Sequence, residues 1–274
     1  MFRFSLDKNN ILAFLRRSYI FIILGIIYVP LIFIVILSFA GVSPKGNIIL
    51  DFSNPTGENW ENLFQETDFT SSLLNTISVA ALVTPISVII GIITCFGMWH
   101  SKNKVKKSLR AASTVNMSIP DVITGVSLTL LFSSVWLPLG LDYGYTTVVI
   151  SHISFTTPYA ITTIYPRMIS LKQNLINASN DLGASKLRTF FKVIIPHLMP
   201  AIIGACIIVI AISFDDFVIT LLVSGNFRTI SSAIYLSAKG IKAWIVTFGA
   251  ILVVSFIIGS FIIAALKISK NKKR

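Results

Sequence analysis

Charged residues are scarce in this sequence. Asp, Glu, Lys and Arg make up 12% of its 274 residues, whereas a soluble globular domain carries about 25%. Hydrophobic residues make up 54% of the chain, and the mean hydropathy is +0.81. This balance excludes an ordinary soluble domain and indicates that lipid is the main solvent of the chain.

Cysteine and the common catalytic motifs are also scarce. The two cysteines, Cys95 and Cys206, lie in apolar segments, where a thiol behaves as a small apolar side chain. No His/Cys pattern has the spacing of a metal site, and the sequence lacks a G-x-x-x-x-G-K-[ST] phosphate-binding loop. We therefore expect that the chain is not an enzyme, holds no metal or cofactor, and does not hydrolyse ATP itself.

Long uncharged segments are abundant instead. A transmembrane helix needs about 20 apolar residues. Six segments reach that length with at most one charged residue, namely residues 18–44, 69–101, 111–141, 143–166, 193–214 and 243–266. The sequence therefore predicts an all-α membrane protein with six transmembrane helices in one domain, residues 18–268. A cytoplasmic N-terminal segment, 1–17, is predicted to precede this domain, and a basic cytoplasmic tail, 269–274, to follow it.

Lys and Arg are distributed unequally between the two predicted sides of the membrane. Nineteen fall in the N-terminal segment, the second and fourth loops and the tail, and four fall on the other side, at Lys45, Arg228, Lys239 and Lys242. Because basic residues concentrate on the cytoplasmic side, both termini are predicted to be cytoplasmic. The net charge of +12 then reflects topology and lipid headgroups, and no nucleic-acid partner is needed to explain it.

The fourth loop, LINASNDLGASKLRTFFKVIIPHLMP (175–200), is long and has a helical pattern. Its apolar residues recur at helical spacing, at Leu175, Ala178, Leu182, Leu187, Phe190, Phe191 and Ile194. Gly183 suits a left-handed position after a first helix, and Ser185 can cap a second one. Pro196 and Pro200 are expected to mark the entry to the fifth span. The loop is thus predicted to form a helix–Gly–helix hairpin at the cytoplasmic face. These residues alone are equally consistent with an amphipathic hairpin lying in the headgroups.

The order of residues in this hairpin resembles the EAA loop of ABC-importer permeases. The shared order is NAS (177–179), three residues, Gly183, nine residues and VIIP (193–196). The resemblance implies that the hairpin seats in a cleft of a cytoplasmic ATPase and transmits its closure to the membrane helices. The residues it assigns to coupling are Asn177, Ala178, Asp181, Gly183, Ala184 and Pro196. Asn177 stands where the family pattern has Glu, so an acidic contact from Asp181, or an amide hydrogen bond from Asn177, is expected instead.

Four further stretches resemble the C-type permease subunits of spermidine/putrescine importers. They are SIPDVITGVSLTLLF (118–132), SHISFTTPYAITTIYPRM (151–168), NDLGASKLRTFFKVIIPHLMPAI (180–202) and SFDDFVITLLVSG (213–225). The resemblance implies the type I permease fold and alternating access. It also implies a second, B-type permease, two cytoplasmic ATPase subunits that bind ATP and Mg²⁺, and an external polyamine-binding protein.

Three aspartates interrupt apolar stretches: Asp121 lies within 111–141, and Asp215 and Asp216 interrupt a run that extends from Val193 to Phe227. An aspartate in the membrane costs roughly 2.5–3.5 kcal/mol on insertion scales, so these residues need a reason. Asp121 follows Pro120, which opens the helix near the bilayer midplane, and Ser118 could cap the restart. Asp215 and Asp216 are expected in the outer half of the fifth span, with one facing a pathway and the other a neighbouring helix or subunit. No Lys or Arg lies in any span, so we expect no internal ion pair. His152 is predicted to be a neutral, hydrogen-bonded packing residue.

The missing cation is therefore predicted to be the cargo. A polyamine carries ammonium groups along an apolar chain and fits carboxylates at two depths, with aromatic faces offering cation–π contacts. The aromatic residues expected to contribute are Phe214, Phe217, Trp136 and Tyr159. Rival interpretations are an ABC permease for ferric ion or an organic cation, and a stand-alone cation channel or carrier that uses the acids as a filter or proton relay.

Overall fold

The computed structural model describes residues 8–50, 52, 55–238 and 240–272, with side chains described between residues 19 and 268. Most basic residues of the predicted segments 1–17 and 269–274, and also Lys239, therefore lie outside the described side chains. The described chain is largely helical and divides into two compact units. The first comprises the chain up to Thr70 and from Ser237 onward, and the second runs from Ser71 to Leu236.

The first unit contains two long apolar helices, α1 (Lys8–Leu37) and α12 (Ala243–Lys272), which pack against each other. A short helix, α2 (Glu58–Glu61), closes the loop after α1. There Asn59 Nδ2 donates to the carbonyls of Ser38 at 3.1 Å and Ala40 at 2.9 Å. Phe69 contacts Trp244 and Phe248, with ring centroids 5.9 and 5.4 Å apart.

The second unit is a bundle built around one buried helix. Its elements are α3 (Thr67–His100, which begins in the first unit), α4 (Asn103–Ser118), α5 (Asp121–Leu131), α6 (Tyr145–Ile169), α7 (Gln173–Asp181), α8 (Lys186–Thr189), α9 (Ile195–Asp215), α10 (Val218–Val223) and α11 (Ile230–Leu236). The central helix is α6, which packs against α4, α9 and α10. Helices α3 and α6 approach closely, since a Cβ added at Gly91 would lie 3.0 Å from the Cβ of Ala160.

Five helical stretches among the described residues are long and apolar enough to cross a membrane, which makes the chain a multi-pass membrane protein. They are Tyr19–Leu37, Thr67–His100, Asp121–Leu139, Lys186–Asp215 and Ala243–Ile268. The remaining predicted span, the fourth (143–166), corresponds to α6, whose 25 residues are also long enough. Its hydropathy is lower because buried polar side chains, among them Ser151, His152 and Thr156, face the neighbouring helices.

The third predicted span, 111–141, is interrupted at Pro120 as predicted, and the stretch of it that is long and apolar enough to cross a membrane is Asp121–Leu139. Helix α4 ends at Ser118 and α5 begins at Asp121, after which a π turn (Phe132–Trp136) and a 3-10 turn (Leu137–Leu139) complete the span. Ile119 is extended, with φ −73° and ψ 130°, because a residue before proline avoids the helical region. Ser118 does not cap α5 as predicted, since its hydroxyl donates back to the carbonyl of Thr114 at 2.9 Å.

Candidate functional site

The break between α4 and α5 presents an aspartate without a protein partner. Asp121 occupies the first turn of α5, where the free backbone N–H groups of a helix favour a negative charge. Its side chain is exposed, and within the described residues its carboxylate has neither a hydrogen bond nor an ion pair. The ring of Pro120 keeps Ile119 out of the helical conformation and so interrupts the helix. The break therefore does not need a hydrogen bond from the Asp121 side chain.

The break between α9 and α10 is held by a second aspartate. Helix α9 ends at Asp215, and Asp216 is extended, with φ −64° and ψ 126°. The carboxylate of Asp216 accepts from the backbone N–H of Ile219 at 3.2 Å and of Thr220 at 2.9 Å, and from the Thr220 hydroxyl at 2.8 Å. Asp216 therefore caps α10 and satisfies donors that would otherwise be unpaired inside the membrane.

His152 on α6 joins both sides of this second break. Its Nδ1 lies 2.8 Å from the Ser213 hydroxyl, and its Nε2 lies 3.0 Å from the Thr220 hydroxyl and 3.4 Å from Asp216 Oδ2. The Thr220 hydroxyl donates to Asp216, so it accepts from His152, which places a proton on Nε2. His152 is a fully buried, hydrogen-bonded packing residue, as predicted. No Lys or Arg was expected to pair with these aspartates, and the basic side chain that lies beside Asp216 is a histidine, with His152 Nε2 3.4 Å from Asp216 Oδ2.

The two breaks meet at one cavity. A space of about 170 Å³ is lined by Asp121, Phe155, Tyr159, Ile212, Asp215, Asp216, Phe217 and Val218. Asp215 is exposed, and among the described residues its carboxylate has no hydrogen-bond or ion-pair partner. The cavity thus combines two unpaired carboxylates with three aromatic rings. This arrangement can solvate a cation that has lost water.

The breaks lie at different heights along α6. Thr162 contacts Met117 just before the first break, at 3.4 Å, and His152 contacts Ser213 just before the second. The ten residues of α6 from His152 to Thr162 correspond to about 15 Å at the helical rise. This spacing separates the contacts that precede the two breaks, whereas the carboxylates of Asp121, Asp215 and Asp216 themselves line one cavity.

The structure brings some of the predicted aromatic residues to the cavity and leaves others outside it. Tyr159 and Phe217 line it, whereas Trp136 packs against Phe132 at 5.9 Å and Phe214 lies elsewhere on α9. Phe214 instead accepts a hydrogen bond at its carbonyl from Ser231, at 2.5 Å. Sequence reasoning missed Phe155, although it precedes Tyr159 by four residues and so shares its helical face.

The predicted helix–Gly–helix hairpin is present. Leu182 ends α7, and Gly183 follows with φ +77°, a conformation that L side chains rarely adopt. The N–H of Gly183 donates to the carbonyl of Asn180 at 2.8 Å, and that of Ala184 donates to Ser179 at 3.1 Å, which is the Schellman pattern of a helix end. Ser185 caps α8 as predicted, accepting from the backbone N–H of Arg188 at 3.4 Å.

The outer face of the hairpin exposes large apolar side chains. Leu182 is 88% exposed, Leu187 72% and Phe191 64%. The amide of Asn177 accepts from Gln173 at 3.3 Å, so its oxygen is partly engaged, whereas Asp181 is exposed. Large apolar side chains exposed in this way on a hairpin are typical of an interaction surface.

A cleft of about 500 Å³ separates the hairpin from the end of α3. It is lined by Phe96, Gly97, Trp99, His100, Gln173, Ile176, Asn180, Lys186, Thr189 and Ile194. The hairpin is therefore not packed tightly onto the bundle along its whole length.

The prolines after the hairpin mark the start of the fifth span, as predicted, because Pro196 lies in the first turn of α9 and Pro200 one turn further on. The helix does not begin there from a loop, however, since a helical run from Lys186 leads into α9 through a π turn at Phe190–Ile194. The π turn changes the hydrogen-bond register just before Pro196, which lacks an N–H, so the run continues past it. Motion of the hairpin can thus be transmitted directly to α9 and to Asp215 at its end.

Comparisons with known proteins agree with this architecture. The family model described as "Binding-protein-dependent transport system inner membrane component" matches residues 68–270. A Mycoplasma genitalium protein named "Spermidine/putrescine transport system permease protein PotC homolog" is 40% identical over 97% of this chain and 96% of its own. A Mycoplasma pneumoniae protein of the same name is 41% identical over 95% of this chain and 93% of its own. A crystal structure titled as a bacterial ABC transporter that imports the acidic polysaccharide alginate covers 97% of this chain and 99% of its own, with a TM-score of 0.63 at 15% identity. At that identity the likeness shows the fold alone.

Proposed function

The chain belongs to the family of inner membrane components of binding-protein-dependent transport systems, and we propose that it is the permease subunit of an ABC importer for polyamines. Near-full-length relatives at 40% and 41% identity are named as spermidine/putrescine permeases, which supports this cargo. The observation that carries the proposal is the cavity, in which Asp121 and Asp215 lie unpaired beside aromatic rings.

The chemistry of the cavity favours a polycation over other cargo. Each ammonium group that contacts a carboxylate gains a charge-assisted hydrogen bond, worth roughly 1.5–3 kcal/mol. Phe155, Tyr159 and Phe217 offer apolar surface for methylene groups and ring faces for charge. An anionic cargo would meet three carboxylates here, and the nearby basic side chain, His152, is buried against Asp216.

The exposed positions of Asp121 and Asp215 leave room for a second permease subunit to complete the pathway. Two partner ATPases, which would bind ATP and Mg²⁺, dock against the exposed hairpin face around Leu182 and Leu187. An external binding protein delivers the polyamine, and both termini lie in the cytoplasm. Closure of the ATPases moves the hairpin and, through the helical run to Asp215, switches the access of the cavity from one side of the membrane to the other.

Radiolabelled spermidine uptake, normalised to the amount of membrane-inserted protein, tests this function. We expect Asp121→Asn to lower uptake at least about tenfold, since it removes one charge-assisted hydrogen bond. Protein abundance should hold or rise, because a neutral side chain is cheaper to place in the membrane. Asp142→Asn, which neutralises an exposed aspartate outside the cavity, is the control and should leave uptake unchanged.

Two outcomes would contradict the proposal. Normal uptake in both Asp121→Asn and Asp215→Asn would remove the polycation site. Uptake that persists in vesicles without ATP would instead favour a channel or an ion-coupled carrier.

A further inference from the structure

Asp215 and Asp216 are adjacent in sequence but have opposite surroundings. The side chain of Asp216 is 6% exposed and has contacts to Ile219, Thr220 and His152. Asp215 is exposed, and among the described residues its carboxylate has no such contact. Both line the cavity, so position alone does not decide which one meets the cargo.

The contacts of Asp216 stabilise the shape of the break. Ser213 belongs to the last turn of α9 and Thr220 to α10, and a single imidazole on α6 reaches both. For Asp216 to turn towards a ligand, α10 would lose its cap and His152 would lose a partner. Asp215 can bind a ligand at no such cost.

We infer that His152 and Asp216 are positioning residues, which fix the break between α9 and α10 so that Asp215 alone presents its carboxylate to the cargo. This inference rests on the proposed function and divides the roles within that site. Because the carboxylate of Asp216 is already engaged by Ile219, Thr220 and His152, the carboxylates left to accept from a polyamine in this cavity are those of Asp121 and Asp215. The pair acts on transport through Asp215, without touching the cargo.

The test is the concentration dependence of spermidine uptake by the complete transporter in proteoliposomes, which separates KM from the maximal rate. We expect Asp215→Asn to raise KM at least about tenfold. Thr220→Val and His152→Ala should raise KM about three- to tenfold in the otherwise unchanged protein. In the Asp215→Asn background the same substitutions should add less than about twofold, because there is no longer a charged carboxylate to position. His152→Gln, which retains a hydrogen-bonding side chain, should restore KM to within about twofold.

The matched control removes a buried hydroxyl from α6, the helix that carries His152. The Thr156 hydroxyl lies 2.9 Å from that of Ser87 on α3 and donates to the backbone carbonyl of His152 at 2.6 Å, and among the described residues it has no hydrogen bond to α9 or α10. Thr156→Val should therefore lower abundance or melting temperature without changing KM.

Three results would overturn the inference. A rise in KM for Asp216→Asn that multiplies with that of Asp215→Asn would make Asp216 a direct cargo ligand. Changes confined to abundance and maximal rate in His152→Ala, Thr220→Val and Thr156→Val alike would make the network merely structural. A normal KM in Asp215→Asn, with KM raised by Asp121→Asn, would leave the proposed function standing and remove the role given to Asp215. Normal KM in both would contradict the proposed function itself.

Discussion

Two membrane helices are interrupted at the same cavity, but by different means. Between α4 and α5 the interruption is built into the covalent chain, because Pro120 excludes a helical conformation before it. Between α9 and α10 there is no proline, and the interruption depends on the bonds of Asp216 to Ile219, Thr220 and His152. The first break leaves its carboxylate, Asp121, unpaired, whereas the second break uses a carboxylate to hold itself open.

This difference accounts for the pair of adjacent aspartates. A break that is made by side chains needs one acid for its own structure, so a second acid is required if the break is also to bind a cation. A break made by proline needs only one. This rule predicts that loss of charge at Asp121 and at Asp216 has different effects on transport and stability. A break outside the membrane, which binds no cargo, should affect coupling to ATP hydrolysis instead.

The hairpin provides that outside reference, because its interruption is made by backbone conformation at Gly183. Gly183→Pro should abolish cargo-stimulated ATP hydrolysis, since proline requires φ near −65° and the observed value is +77°. Membrane insertion and spermidine binding at the cavity should persist, because Gly183 precedes the helical run Lys186–Asp215, and Asp215 lies at the other end of that run. The measurement is ATPase activity of the assembled complex with and without cargo-loaded binding protein. Normal cargo stimulation of ATP hydrolysis in Gly183→Pro would show that the hairpin does not couple the permease to its ATPase partners.

Removing Pro120, which interrupts the helix between α4 and α5, is expected to have the next largest effect on transport. Pro120→Ala allows α4 and α5 to join into one helix, which rotates Asp121 away from the cavity. Spermidine uptake per inserted protein should fall at least about tenfold, the loss expected for one charge-assisted contact. Pro85→Ala is the matched control, because Pro85 lies inside the continuous helix α3 and interrupts nothing. Equal uptake in the two variants would mean that the break at Pro120 does not orient Asp121.

Part of this comparison could be predicted from the sequence and part could not. Pro120 and Gly183 are local signals, and the interruptions they cause were predicted at the correct residues. The break at Asp216 has no such signal, because it depends on His152, which is more than sixty residues away along the chain. For the same reason the role of Asp216 as a cap was not foreseen. Helix α6 was predicted as an apolar span with His152 as a packing residue, but the packing of its buried Ser and Thr residues is shown only by the fold.

Neutralising the aspartate at each break should change the melting temperature in opposite directions. Asp216→Asn weakens hydrogen bonds to a charged group, which are worth roughly 1.5–3 kcal/mol, so the melting temperature of the purified complex should fall. Asp121→Asn removes a membrane carboxylate that has no structural bond, so the melting temperature should stay the same or rise. Thermal melts of the two variants in one detergent provide the comparison. A lower melting temperature for Asp121→Asn than for Asp216→Asn would reverse the assignment of the free and the structural carboxylate.

The smallest expected effect concerns the aromatic rings beside each break. Phe217 is stacked on Tyr235, with centroids 4.7 Å apart, so one face of its ring is already covered. Tyr159 lies one turn from Thr162, which contacts Met117 before the first break, and no aromatic ring among the described residues stacks on it. A cation–π contact contributes about 0.5–1 kcal/mol at an exposed site, so Tyr159→Leu should raise the KM for spermidine about two- to fivefold. Phe217→Leu should have a smaller effect on KM, because its ring has less free surface to lose.

Two variants serve as controls for this prediction. Tyr159→Phe keeps the ring and should leave KM unchanged. Phe132→Leu alters a core ring outside the cavity and should also leave KM unchanged. If Phe217→Leu raised KM more than Tyr159→Leu, the break that is held by side chains would be the main binding side of the cavity.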